Sequence, residues 1–116
     1  MIAESKLDHD FVGNWRLVET EVWASDALDL VEPARLSIEL DGSGSLVFIA
    51  VVAGIDYRVE LRDGAPCLEF TWEGTSEGDP ICGRGWAKID GDELRGRLYI
   101  HTSDDSVFLA RRESPV

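Results

Sequence analysis

Two carboxylates, Glu19 and Glu21, alternate with Thr20 along a strand-like run that ends in Trp23. In an extended chain, residues two apart share a face, with Cα atoms about 7 Å apart. Carboxylates on an inward face must meet water, a cation, an arginine or a proton, because burying them unpaired is costly. Ringed by Trp23, Tyr57 and Trp72, the pair could hold a cationic or hydroxyl-rich small molecule, the aromatic rings giving contact area and the acids polarity. The alternative is a twist or bulge that turns both acids to solvent. Acid–base catalysis would need a third group to set the two pKa values apart, and none is evident. The expected site is therefore a ligand-binding set, Glu19, Glu21, Trp23, Tyr57 and Trp72, with no catalytic residues.

Other chemistries find little footing. Cys67 and Cys82 are not spaced as a zinc pair, and only His9 and His101 could join them, so free thiols are expected. Asp79, Asp104 and Asp105 match no calcium loop and read as turn residues. There is no phosphate-binding glycine loop and no nucleophile triad. No cofactor and no metal are expected.

Net charge is −12, and it is unevenly spread. Residues 1–83 hold 5 basic and 17 acidic side chains, whereas residues 84–116 hold 6 of each. An acidic chain repels phosphate, which argues against nucleic acid and anionic membranes as partners. Arg84, Trp86 and Lys88 beside Arg95, Arg97, Tyr99 and His101 form a basic and aromatic stripe. It reads as a solvated face or a subunit contact. The longest apolar run, Leu46 to Ala53, is too short to span a membrane, and the first residues carry no basic and apolar leader. A cytoplasmic location is expected.

The elements that must carry these residues are strands. The chain of 116 residues, 44% hydrophobic, suits a single domain over 1–116. Period-two alternation, punctuated by Gly, Asp and Pro, predicts β-strands over Asn14–Trp23, Ala34–Leu40, Leu46–Ala53, Ile55–Leu61, Cys67–Glu73, Arg84–Ile89, Leu94–His101 and Val107–Glu113. A short helix capped by Ser25 is expected over Asp26–Val31, stopped by Pro33. Eight strands with mostly short connections predict an all-β, antiparallel up-and-down barrel, which leaves no open edge.

Hairpin pairing then sorts the faces. Expected pairs are Val52 with Ile55, Leu61 with Leu68, Tyr57 with Trp72, and Ile89 with Leu94. Val107, Leu109 and Arg111 are expected inside on the last strand, and Trp15, Leu17, Glu19, Glu21 and Trp23 on the first. Gly85, Ala87 and Gly96 leave room inside for a large neighbour or a cavity. Long loops at Gly74–Gly83 and Thr102–Ser106 suggest a mouth on the side of the helix.

Gly13-Asn14-Trp15 at the start of the first strand, with an arginine late on the last, resembles the lipocalin (calycin) pattern. That resemblance implies a small barrel in which the arginine lies across the tryptophan. The expected arginine is Arg111, with Arg112 the alternative if the strand is shifted by one. The tracts Phe70–Gly74, Gly83–Ala87 and Gly96–His101 also resemble a family of small uncharacterised bacterial proteins.

The primary functional expectation is a non-enzymatic binding protein for a small molecule at the barrel mouth. A second is a protein-interaction module with a filled barrel, acting through its acidic surface or as a homodimer. A third is a small enzyme using the mouth carboxylates. The homodimer is expected through the outer face of Leu46–Ala53, where Val47, Ile49 and Val51 would form an apolar stripe that Ile2 and Leu7 or a second copy could cover.

Overall fold

Hydrogen-bonded strands wrap in chain order into a closed ring, the last returning to the first. This computed structural model describes residues 6–113, with side chains from His9 onward. Ile2 and the side chain of Leu7 lie outside the described residues. The strands are β1 (Gly13–Thr20), β2 (Arg35–Ile38), β3 (Ser43–Phe48), β4 (Val51–Arg62), β5 (Ala65–Ser76), β6 (Asp79–Asp90), β7 (Glu93–Ile100) and β8 (Asp105–Arg112). Two short helices, α1 (Lys6–Phe11) and α2 (Ser25–Leu28), flank β1. The all-β antiparallel barrel with a short helix after the first strand is the expected architecture. The helix is shorter than expected, and Ser25 lies within it rather than capping it.

The two ends differ in how they are closed. At the base, α1 lays Phe11 into the core, and the Trp15 indole N–H donates to the Phe11 carbonyl at 2.8 Å. Arg112 lies across the Trp15 ring, 4.1 Å from guanidinium carbon to ring centroid. It donates to the carbonyls of Val12 and Asp10 at 2.8 and 2.7 Å. Gly13 has φ of 132°, and a Cβ there would sit 2.7 Å from the Arg112 guanidinium, so glycine is what lets the arginine in. The stacking residue is Arg112 and not Arg111. On β8 the inward residues are Ser106, Phe108 and Ala110, while Val107, Leu109 and Arg111 face out, so the expected parity is corrected by one.

Three expected turns are also corrected. Leu46–Ala53 is not one strand. β3 ends at Phe48, Ile49 and Ala50 make the turn, and Phe48 pairs with Val51. Ile49 has φ of 55°, and its N–H donates to the Leu28 carbonyl at 2.7 Å, so α2 holds the turn in place. Beyond the turn the faces swap. Val51 is buried and Val52 exposed, so the expected stripe of Val47, Ile49 and Val51 does not form one outer face. Gly54 lies mid-strand between Ser45 and Glu73.

The second correction concerns β4 and β5. A two-residue turn at Asp63-Gly64 pairs Leu61 with Pro66 and Tyr57 with Phe70, two places from the expected register. A shift of two keeps every face, so Tyr57, Phe70 and Trp72 stay inside; Leu61, at the end of the pairing, is exposed. Third, the expected Gly74–Gly83 loop is a continuation of both strands around Glu77-Gly78. Pro80 fits there because it pairs only with Thr75 of β5, while the β6–β7 ladder begins at Gly83. The β6–β7 hairpin has the expected register, with Ile89 opposite Leu94, Ala87 opposite Gly96 and Gly85 opposite Leu98.

The interior is packed with the chain's own rings. A Cβ on Gly85 would lie 2.4 Å from the Phe70 ring, and one on Gly83 would lie 2.5 Å from the Trp72 ring. The room left by these glycines is therefore occupied by aromatic side chains. Trp23, Phe48 and Trp72 pack in succession at the α2 end, the first pair tilted and the second edge-to-face, with centroids 5.5 and 5.7 Å apart, and Leu28 is buried beside this end.

Candidate functional site

The five residues read as a ligand site do not converge. Leu17 pairs with Ala110 and Glu19 with Leu109, so Val18 is an extra residue in the β1–β8 ladder. Such a bulge reverses the alternation beyond it. Leu17 is buried, but Glu19 and Glu21 are both exposed, which corrects the expected inward pair. Where the β1–β8 ladder ends, after Thr20 and Phe108, Ser106 takes over. Its buried hydroxyl accepts from the N–H groups of Glu21 and Val22 at 3.1 Å each, and donates to the Val107 carbonyl at 2.9 Å. In the sequence Ser106 reads as a turn residue, and nothing local marks its role.

Trp23 follows a turn in which the Thr20 hydroxyl binds both its N–H and its carbonyl. Its ring packs on Phe48, which in turn meets the Trp72 ring. Tyr57 is buried lower in the barrel, and its hydroxyl donates to the Glu39 carbonyl in the β2–β3 turn at the opposite end. The mouth thus keeps Trp23 and Trp72 and loses the two acids and Tyr57. Trp72 Nε1 is buried with no acceptor among the described residues.

The outward turn of β1 instead completes a surface site. Reading across the sheet, Glu19 on β1 pairs with Leu109 on β8, Leu109 with Arg95 on β7, and Arg95 with Lys88 on β6. In the next row Val107 faces Arg97, which faces Trp86. Trp86, Lys88, Arg95, Val107, Leu109, Glu19 and Glu21 together line a depression of about 620 Å³. Its floor is apolar, its β1 rim acidic and its β6–β7 rim basic. The stripe seen in the sequence supplies the second rim, and the bulge supplies the first.

The ion pairs around the groove are unequal. Arg95 binds Glu93 at 2.9 Å and reaches Asp90 at 3.5 Å, and Arg97 binds Asp105. The Lys88 ammonium donates to the Arg62 carbonyl at 3.4 Å. Neither Lys88 nor Glu19 has an oppositely charged partner among the described residues. Farther along β6, Arg84 lies 4.4 Å from the Tyr99 ring centroid, a cation–π contact.

Below the groove, Arg16 sits directly between Arg35 on β2 and Arg111 on β8. Three like charges in a row repel unless each is matched. Asp29 binds Arg16 at 2.5 Å, Glu113 binds Arg35 at 2.5 and 3.1 Å, and Glu93 reaches Arg111 at 3.4 Å. The Asp29 carboxyl is held below its ordinary pKa by the Ala34 N–H and by Arg16, against the opposing effect of burial. Glu113 is likewise lowered, chiefly by its hydrogen bonds from Arg35.

A carboxyl whose folded pKa lies below its unfolded value stabilises the fold above the unfolded pKa. That contribution is lost as pH falls through the folded value. The urea midpoint of the protein is therefore expected to drop as pH falls below about 4. Asp29→Asn should have a lower midpoint at neutral pH and a flatter dependence in the acid range. An identical slope in the variant would remove Asp29 from this account.

Both cysteines are free thiols, Cys67 buried and Cys82 exposed. Among the described residues, no group of three or more His, Cys, Asp or Glu side chains is arranged to hold a metal ion, and no helix is long and apolar enough to cross a membrane. No family model, curated protein or solved structure matches this chain.

Proposed function

We propose that this chain is a lipocalin-like barrel that works as an interaction module through its outer surface, with the β6–β7–β8–β1 groove as the contact. The observation that carries this reading is the filled interior. Phe70 and Trp72 occupy the space beside Gly85 and Gly83, and Phe11 and Leu28 are buried at the two ends. A carrier needs a cavity that takes in most of its ligand, whereas here the apolar depression with mixed charge lies outside. The stacking of Arg112 on Trp15 next to Gly13 supports the calycin relationship. Free thiols suit a reducing compartment, and we place the function in the cytoplasm.

A second reading keeps the small-molecule ligand at the mouth, on Trp23 and Trp72. It is favoured by the buried Trp72 Nε1, an N–H that a ligand acceptor would satisfy. Native mass spectrometry on gently purified protein separates the two. The interaction reading expects a chain of 12.9 kDa, or a simple multiple of it, carrying no small molecule. A retained small mass that is lost on denaturation, and reduced in Trp72→Phe, would overturn that reading in favour of the mouth ligand.

A further inference from the structure

We propose that the outer face of β6, β7, β8 and β1 pairs with the same face of a second copy of this chain about a two-fold axis. The proposal rests on the interaction reading above and names its partner.

The order of charges across this face makes it complementary to itself. The row Glu19, Leu109, Arg95, Lys88 crosses four adjacent strands, about 14 Å from end to end at the usual strand spacing. It is acidic at one end and basic at the other. Arg95 is already matched by Glu93 and Asp90, so the charges left over are the carboxylate of Glu19 and the ammonium of Lys88. A two-fold axis that runs along the strand direction, midway between the two faces and over the centre of this row, turns it end for end. Glu19 of each copy then lies over Lys88 of the other, and the two contacts form together. An isologous interface requires this property, that a patch be complementary to itself. Apolar surface is in place as well, on β8 and at Trp86 of β6. Leu109 is half-buried, Val107 is 39% exposed, and Trp86 offers a large ring in the next row.

Net charge decides where such a contact can form. Two chains of charge −12 repel each other. The excess acid lies in residues 1–83, while residues 84–116, which supply β6 from Arg84 onward and all of β7 and β8, carry no net charge. This face is where a second acidic molecule meets least repulsion, and at physiological salt the field of the rest is screened beyond about 8 Å. Four strands of about eight residues span a smaller area than the roughly 800 Å² per partner of a standard interface. The association is therefore weak and depends on concentration.

The test is sedimentation of the full chain from micromolar to millimolar concentration, with circular dichroism to verify that each variant is folded. The wild type is expected to approach twice 12.9 kDa as concentration rises. Glu19→Lys and Lys88→Glu each place like charges opposite one another at both contacts, and each should weaken association by about tenfold or more. The double variant Glu19→Lys with Lys88→Glu re-forms both pairs in reverse and should recover most of the loss. A wild type that stays monomeric throughout overturns the proposal. So does a dimer that the single variants leave unchanged, or a double variant no better than the singles. None of these results touches the filled-barrel reading, which fails instead if a small molecule is retained in native mass spectrometry.

Discussion

Replacing Trp15 with alanine is expected to remove about 3–5 kcal/mol of folding stability, a large part of the roughly 5–15 kcal/mol typical of a domain. Trp15 is 1% exposed, so the loss begins with the transfer of its ring and the cavity left behind. Two further contacts go with it. The Phe11 carbonyl loses its indole donor, and Arg112 loses the ring beneath its guanidinium. Arg112 also ties Val12 and Asp10 to β8, so the loosened arginine frees α1 from the base. Urea unfolding measures the total, and limited proteolysis near Asp10 reads the release of α1. Trp15→Phe keeps a ring and loses the N–H, so its cost should be smaller. A change in Trp15→Ala no larger than that of a surface substitution, about 0.5 kcal/mol, would contradict this account of the base.

A single added methyl group should be nearly as informative. Gly85→Ala places a Cβ 2.4 Å from the Phe70 ring and 2.8 Å from the Arg97 carbonyl oxygen. Overpacking of this kind costs about 1–3 kcal/mol. If the ring fills the space that the glycine leaves, trimming the ring should relieve the strain. Phe70→Leu with Gly85→Ala is then expected to cost less than the two single changes added together, with a coupling of about 1 kcal/mol. Relief will be partial, because the Arg97 carbonyl belongs to the neighbouring strand and cannot be trimmed. Costs that add within about 0.5 kcal/mol would mean that the ring and the glycine do not share this space.

The architecture was legible because alternation with period two survives wherever one face of a strand is buried. The β6–β7 hairpin could be registered from its sequence, since Asp90-Gly91-Asp92-Glu93 is a local turn signal between two clearly alternating runs. The turns at Asp63-Gly64 and Glu77-Gly78 carry a local glycine signal; the turn after Phe48 differs, because there a distant contact overrides the local signal. The turn at Ile49-Ala50 carries no glycine, proline or asparagine, and Ile49 takes a positive φ that isoleucine disfavours. The Leu28 carbonyl from α2 receives its N–H, and no local pattern reports that. Gly54 looked like the turn only because glycine in a strand and glycine in a turn are written alike.

The candidate site was less legible than the fold. Glu19, Glu21 and Trp23 were picked out by residue type, but their orientation depends on Val18, which has no bulge signature of its own. The bulge, which the sequence leaves open as the alternative, is what the ladder contains. On β8 the parity hung on where the preceding turn ended. Ser106 looked like a turn serine, yet it is strand, buried, and the acceptor for two backbone N–H groups of the departing β1. The basic and aromatic stripe was visible as a pattern. That it faces an acidic rim across β8 became visible only when the barrel closed.

The extra residue at Val18 also sets what this protein is free to become. In a ring of strands, the side each residue faces is inherited from its neighbours, and a change on one strand is felt by all. Val18 lets the last part of β1 leave that agreement alone. Glu19 and Glu21 beyond it no longer answer to the volume of the core, only to whatever meets the surface. One inserted residue thus confines variation to a short stretch, where new recognition can be tried without refolding the barrel.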